Sequence, residues 1–229
     1  MNIQILQLID GAKKATGLTV VIDVFRAFSL ACYAFDVGAE RIIPVGDINL
    51  AYQLKKDNPD YILLGERNEK IMPGFDFGNS PAHIIGQDFR GKTLVHTTSA
   101  GTQGLVNAVN ASELLTGSFV NAGAIVRYIR NLNAKTISLV CMGYSAQYPI
   151  EEDSFCAEYI SNELEGKPTN VKVMIMNLRK GSGNRFFEPD KQSFAPSKDF
   201  ELCTNLNRFN FIIKASKEKE MMILRKFSI

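Results

Sequence analysis

Short apolar runs alternate with stretches of helical period over the first 165 residues. The runs at 18–24, 42–45, 61–64, 93–97, 113–116 and 136–142 have the length of strands. Between them, 26–38, 47–57, 81–87, 102–111, 119–132 and 153–165 carry the spacing of helices. In 119–132, Phe119, Ala122, Val126, Ile129 and Leu132 recur on one helical face. Asn79-Ser80-Pro81 supplies a polar cap followed by a proline in the first turn. Strands that alternate with helices predict an α/β fold, with parallel strands and helices on both faces.

Beyond residue 165 the pattern changes. Val171–Met176 alternates in polarity only at its start, and 177–200 is polar and rich in Gly, Ser and Pro, the composition of a loop. Runs at 209–213 and 221–224 read as strands joined by a short polar turn, an antiparallel hairpin. The expected organisation is a core over 1–170 that carries the site motifs. An extension over 171–229 is expected to intertwine with it. Exposed edges on the two C-terminal strands would let two copies pair as a homodimer.

Composition narrows the function classes. The 229 residues are 45% hydrophobic and 22% charged, ordinary for a soluble globular protein. A net charge of +2 is too small to indicate a nucleic-acid or membrane partner. Basic residues concentrate after 204, but acids interrupt them, and such a segment reads as a solvated face. Cys32, Cys141, Cys156 and Cys203 show no metal-site spacing and no disulfide framework. The N-terminal residues lack a basic segment followed by an apolar one, and no apolar run reaches membrane-spanning length. A reduced, cytoplasmic protein is expected.

The chemistry is signalled by acids in costly places. Asp23 interrupts the apolar run Leu18–Phe25, where an ionised carboxylate needs a cation or several donors. Gly65-Glu66-Arg67 follows Tyr61–Leu64, and Glu151-Glu152-Asp153 opens a helix. Such acids, brought together at the carboxyl ends of strands, suit a divalent metal. Arg26 and Arg67 suit phosphate or another anion. The hydroxyl-rich loop Thr97–Thr102 precedes a helix and offers Thr98, Ser99, Gly101 and Thr102 as a phosphate cradle. Without a Walker lysine, it is no nucleotide P-loop. Asn79 and Ser80 are helix caps and candidate ligand donors, whereas His83 and His96 read as structural. An aspartyl-phosphate mechanism of the haloacid dehalogenase type needs a second Asp two residues after the first. That position is Phe25, so ligation suits Asp23 better than nucleophilic attack.

Six segments in this order resemble the 2-phosphosulfolactate phosphatase (ComB) family. They are Val21–Ala27, Gly65–Arg67, Gly74–Pro81, Thr97–Thr102, Gly117–Ala122 and Glu152–Ala157. Departures from the family pattern fall at Phe28, Asn68, Glu69, His83 and Glu158. The resemblance implies a three-layer α/β/α sandwich and a magnesium-dependent phosphatase of a sulfonated 2-hydroxy acid phosphate. It implies Mg²⁺ among Asp23, Glu66, Glu152 and Asp153. With it, Arg26 and Arg67 would hold the substrate's anionic groups. Asn79, Ser80 and the 98–102 loop would bind substrate, and water would attack directly. The alternatives are a phosphatase of another anionic 2-hydroxy acid phosphate, or a non-catalytic binder of an anionic metabolite.

Overall fold

A computed structural model describes residues 1–229. The chain opens with β1 (Asn2–Gln7), α1 (Leu8–Lys14), β2 (Gly17–Ile22), α2 (Ala27–Asp36), β3 (Arg41–Pro44) and α3 (Ile48–Asp57). It continues with β4 (Ile62–Arg67), the two-residue β5 (Lys70–Ile71), α4 (Pro81–Ile84), β6 (Thr93–Thr97) and α5 (Gly101–Asn107). Next come β7 (Ala111–Gly117), α6 (Ala122–Leu132), β8 (Thr136–Cys141) and α7 (Glu151–Glu165). The final elements are α8 (Val171–Lys180), α9 (Ser197–Cys203), β9 (Phe211–Glu218) and β10 (Met221–Ser228). No helix is long and apolar enough to cross a membrane.

All ten strands form one sheet in the order β1-β8-β2-β7-β9-β10-β3-β6-β4-β5. Two parallel blocks, β1-β8-β2-β7 and β3-β6-β4, flank the β9–β10 hairpin. Three successive antiparallel pairings, β7 with β9, β9 with β10 and β10 with β3, separate the blocks. The two blocks therefore run in opposite senses. This placement corrects one expectation. The hairpin is antiparallel as its sequence implied, but both strands are paired on both sides. The outer contacts are short, Leu224 with Ile42 for β10 and residues 213–215 with β7 for β9, but they place the hairpin inside the sheet rather than at its edge.

Strand periodicity divides the core. Val21 and Val140 point into one apolar cluster, with α1, α2 and α5. Their neighbours Leu18, Val20, Ile22, Ile137, Leu139 and Cys141 point into another, with α6 and α7. The alternation of side chains along a strand requires this. Helices on both faces keep these strands apolar throughout, in layers of helix, sheet and helix. Full burial of each such Val, Ile or Leu stabilises the fold by about 1.5–3 kcal/mol.

The stretch 177–200 is mostly ordered helix rather than loop. The end of α8, two 3₁₀ segments at Ser182–Phe187 and Pro189–Lys191, and the start of α9 occupy it. Asn170 caps α8 by accepting from the Val173 amide. The 3₁₀ segment is pinned by aromatic packing: Phe186 and Phe200 lie 5.0 and 5.8 Å from the Phe25 ring centroid. Gly183 permits this, since a Cβ there would lie 2.5 Å from the Phe200 ring. This packing seats residues 182–203 directly over the turn after β2.

Candidate active site

Asp23 follows β2, and its amide extends the ladder by donating to Gly117 O at 3.2 Å. The chain then turns into α2, and Asp23 Oδ1 accepts from the Ala27 amide at 3.1 Å. Arg26 does not pair with Asp23. Its Nη1 donates to Asp199 Oδ2 at 2.8 Å and to Phe194 O at 2.6 Å. Asp199 Oδ1 accepts from the Ser80 hydroxyl and the Ala82 amide. The buried Asp199 thus joins α9, the start of α4 and the turn after β2.

The other acids arrive from both blocks of the sheet. Glu66 closes β4. Its Oε1 accepts from the Ser99 amide at 2.9 Å and its Oε2 from the Glu69 amide at 2.8 Å. Beside it, Gly65 has φ +148°, and a Cβ there would lie 2.1 Å from Thr97 O, so only glycine fits. Asp153, in the first turn of α7, accepts from the Val24 and Gly143 amides, both at 2.8 Å. These bonds tie α7 to the ends of β2 and β8. Glu152 lies alongside, and its Oε2 is buried without a hydrogen-bond partner.

Asp23, Glu66, Glu152 and Asp153 line one cavity with Arg26, Asn79, Thr98 and Ser99. Glu69, just past the Gly65–Arg67 segment, lines it too, as does Arg185, from a stretch where no site was expected. Five carboxylates face two guanidiniums there, one of which is already paired with Asp199. Burial pushes the Asp23 pKa up to about 7, helped by the charges of Glu66 and Glu152 and opposed by the Ala27 and Gly101 amides. Glu152 and Asp153 are also raised, chiefly by burial. Arg185 opposes the shift at Glu152, and the neighbouring Asp23 adds to it at Asp153. Each of these groups is short of positive charge.

The remaining candidates are placed less directly. Arg67 turns away from this cavity, donating to Glu66 O, Gly46 O and the Thr97 hydroxyl. It lines an adjoining groove that shares Asn68, Thr98, Ser99, Tyr144 and Ser145 with the cavity. Ser80 holds Asp199 and does not cap α4. Thr102 bonds back to Thr98. The Ser99 amide serves Glu66, so the 98–102 loop braces an acid rather than presenting free amides. Gly101 touches the site through its backbone: a Cβ there would lie 2.8 Å from Asp23 Oδ2. His96 is buried and neutral, its pKa lowered to about 4 by burial and by Arg67. Its Nε2–H donates to Asn79 Oδ1 at 3.1 Å, which leaves the Asn79 amino group as a donor.

The donor set suits magnesium in one respect and limits it in another. All four acids are hard oxygen donors, and the orphaned Glu152 oxygen and the electrostatically strained Asp23 would both gain from a cation. No three His, Cys, Asp or Glu side chains are grouped so as to hold an ion by themselves. Magnesium tolerates this, because it commonly takes one or two carboxylates, several waters and a substrate phosphate oxygen.

Sequence comparison points to one family. The 2-phosphosulpholactate phosphatase family profile matches residues 3–218. Three relatives carry the name probable 2-phosphosulfolactate phosphatase. That of Bacillus subtilis is 32% identical over 93% of this chain and 92% of its own length. That of Caldanaerobacter subterraneus is 36% identical over 85% and 86%. That of Carboxydothermus hydrogenoformans is 38% identical over 98% and 97%. Matched along nearly its whole length, the chain belongs to the 2-phosphosulpholactate phosphatase family.

Proposed function

We propose that the acidic cavity hydrolyses 2-phosphosulfolactate to sulfolactate and phosphate with the help of magnesium. The single observation that carries this reading is the excess of buried carboxylate over available cation. A phosphomonoester dianion entering among these acids would be repelled, unless a divalent cation reversed the local charge. Glu152, with its unpartnered oxygen, and Asp23, whose charge burial disfavours, would hold the ion. Glu66 and Asp153, fixed by amides, would orient its waters. The bound ion would supply charge neutralisation at the phosphoryl oxygens.

The chain's own groups would do the rest. Arg26, oriented by Asp199, would place guanidinium N–H groups against the phosphoryl oxygens. Asn79, oriented by His96, would donate its amino group. The hydroxyls of Thr98 and Ser99 would line the other side. Water would attack phosphorus, the bond to the substrate's C2 oxygen would break, and that oxygen would leave with a proton as the alcohol. Phosphoryl transfer depends mainly on such positioning and charge stabilisation. With Phe25 where a second catalytic Asp would stand, direct attack by water is favoured over a phosphoenzyme.

The test is phosphate release from 2-phosphosulfolactate and from a panel of other 2-hydroxy acid phosphates, in heavy-oxygen water. The expected result is fastest turnover of the sulfonated substrate, one labelled oxygen per phosphate, and no trapped aspartyl or seryl phosphate. Tight, saturable binding without turnover over hours would make the protein a binder instead.

A further inference from the structure

Arg185 lines the cavity but is held quite differently from Arg26. Arg26 is anchored by short bonds to Asp199 and Phe194 O. The carboxylate contacts of Arg185 are looser: 3.2 Å from Nη1 to Glu69 and 3.8 Å from Nη2 to Glu152. Its Nη2 also donates to Phe25 O at 3.2 Å, and its Nε is buried without a partner. The guanidinium centre lies 5.3, 5.6 and 6.0 Å from the ring centroids of Phe186, Tyr144 and Phe25. Aromatic contacts of this kind fix the orientation of a guanidinium without neutralising it. One of its two acids, Glu152, is also the acid with an oxygen to spare for a cation. An ion drawing on Glu152 would leave Arg185 with a single carboxylate partner at the cavity mouth.

We propose that Arg185 is the specificity-determining residue that binds the substrate's second anionic group, the carboxylate or sulfonate carried beside the phosphoester. This assignment rests on the phosphatase reading above. The planar fork of the guanidinium matches two oxygens of such a group, and a bare phosphate held with Asp23, Arg26 and Asn79 would not engage it. Neutral donors from Asn68, Tyr144 and Ser145 share the cavity lining with it. The phosphoryl group would sit with Asp23, Arg26 and Asn79, and the acid-bearing end would reach Arg185 at the 3₁₀ segment Ser182–Phe187. The C-terminal extension would thus select the substrate, and the first 170 residues would carry the reacting group.

The experiment compares wild type, Arg185→Gln and Arg185→Lys at saturating Mg²⁺. It measures KM for 2-phosphosulfolactate and the competitive inhibition constant of inorganic phosphate. Loss of a charge-assisted pair should raise KM about 10- to 100-fold in Arg185→Gln. The phosphate constant should move at least tenfold less. Arg185→Lys should fall between, because it keeps the charge and loses the fork. Equal losses in KM and in phosphate affinity would overturn the assignment, as would a fall in kcat at unchanged KM. If Arg185→Gln does not fold, the lysine variant decides by the same comparison. Should wild type not turn the substrate over, the phosphatase reading fails by itself. Calorimetric binding of sulfolactate to wild type and Arg185→Lys then tests Arg185: unchanged affinity, or no binding to wild type, would contradict it.

Discussion

Arg26 Nη1 and Asp199 Oδ2 lie 2.8 Å apart, with side chains 4% and 0% exposed, across 173 positions of sequence. Removal of one partner leaves the other as an uncompensated buried charge. Asp199→Ala should therefore destabilise the protein by about 3–5 kcal/mol. Asp199→Asn, which can still accept a hydrogen bond, should cost less. Urea denaturation of the two variants checks the order. A cost below about 1 kcal/mol for the alanine variant would show that Arg26 finds another partner.

The raised pKa of Asp23 has a definite sign in stability. The folded state holds a proton up to about pH 7, whereas the unfolded chain releases it near 4. Between those values the folded state binds more protons, so stability falls as pH rises from about 4 to about 7 and then levels off. Each pKa unit corresponds to about 1.4 kcal/mol. Thermal melts in EDTA from pH 5 to 8 should show wild type losing more stability than Asp23→Asn over that window. Added Mg²⁺ should recover the loss mainly at the alkaline end. Identical slopes for the two proteins would show that Asp23 does not gain a proton on folding in this window.

Much of this arrangement was legible in the sequence, for identifiable reasons. Asp23 stands out because a buried carboxylate is costly and its neighbours are apolar, Glu66 because it follows a strand beside Arg67, and Asp153 because three acids in a row exceed what a helix start needs. The inner strands of the parallel blocks are legible because they are apolar on both faces, whereas the half-exposed edge strand β1 is not. Arg185 and Asp199 were not, since nothing local marks them. Each lies in a polar stretch that resembles a loop, and partners such as Glu69 and Phe25 for Arg185, or Arg26 and Ser80 for Asp199, are over 100 residues away. The packing of Phe25 against Phe186 and Phe200 brings that stretch to the site, and such a contact leaves no periodic trace. The place of the hairpin was also hidden, because sequence shows that β9 and β10 pair and not what lies outside them. A strand-end guanidinium such as Arg67 suits an anion, and here three of its N–H bonds go to protein oxygens that turn it toward the adjoining groove.

Gly101 offers a close steric probe of the site. An added Cβ would stand 2.8 Å from Asp23 Oδ2 and 3.0 Å from the Ala27 Cβ. Gly101→Ala should displace the Asp23 carboxylate and lower kcat/KM about 10- to 100-fold, at a stability cost of about 1–3 kcal/mol. Gly86→Ala, where a Cβ would meet nothing within 4 Å, is the control and should leave both unchanged.

The hairpin's central position has its own consequence. Ile213 is fully buried on β9, whereas Val109 is 75% exposed. Ile213→Ala should cost about 2–5 kcal/mol, and Val109→Ser should stay within about 0.5 kcal/mol of wild type. Chemical denaturation distinguishes them. A small effect at Ile213 would mean that the hairpin is not an integral part of the sheet.

If the buried acids work through magnesium on a phosphomonoester, turnover must need both the ion and the Asp23 carboxylate. Phosphate release from 2-phosphosulfolactate should be measured for wild type and Asp23→Asn, first with EDTA and then with graded Mg²⁺. The expected result is no turnover in EDTA, saturable recovery of wild type with Mg²⁺, and at least a hundredfold lower activity in Asp23→Asn at every concentration. Full turnover in EDTA, or an Asp23→Asn enzyme as active as wild type, would contradict that requirement.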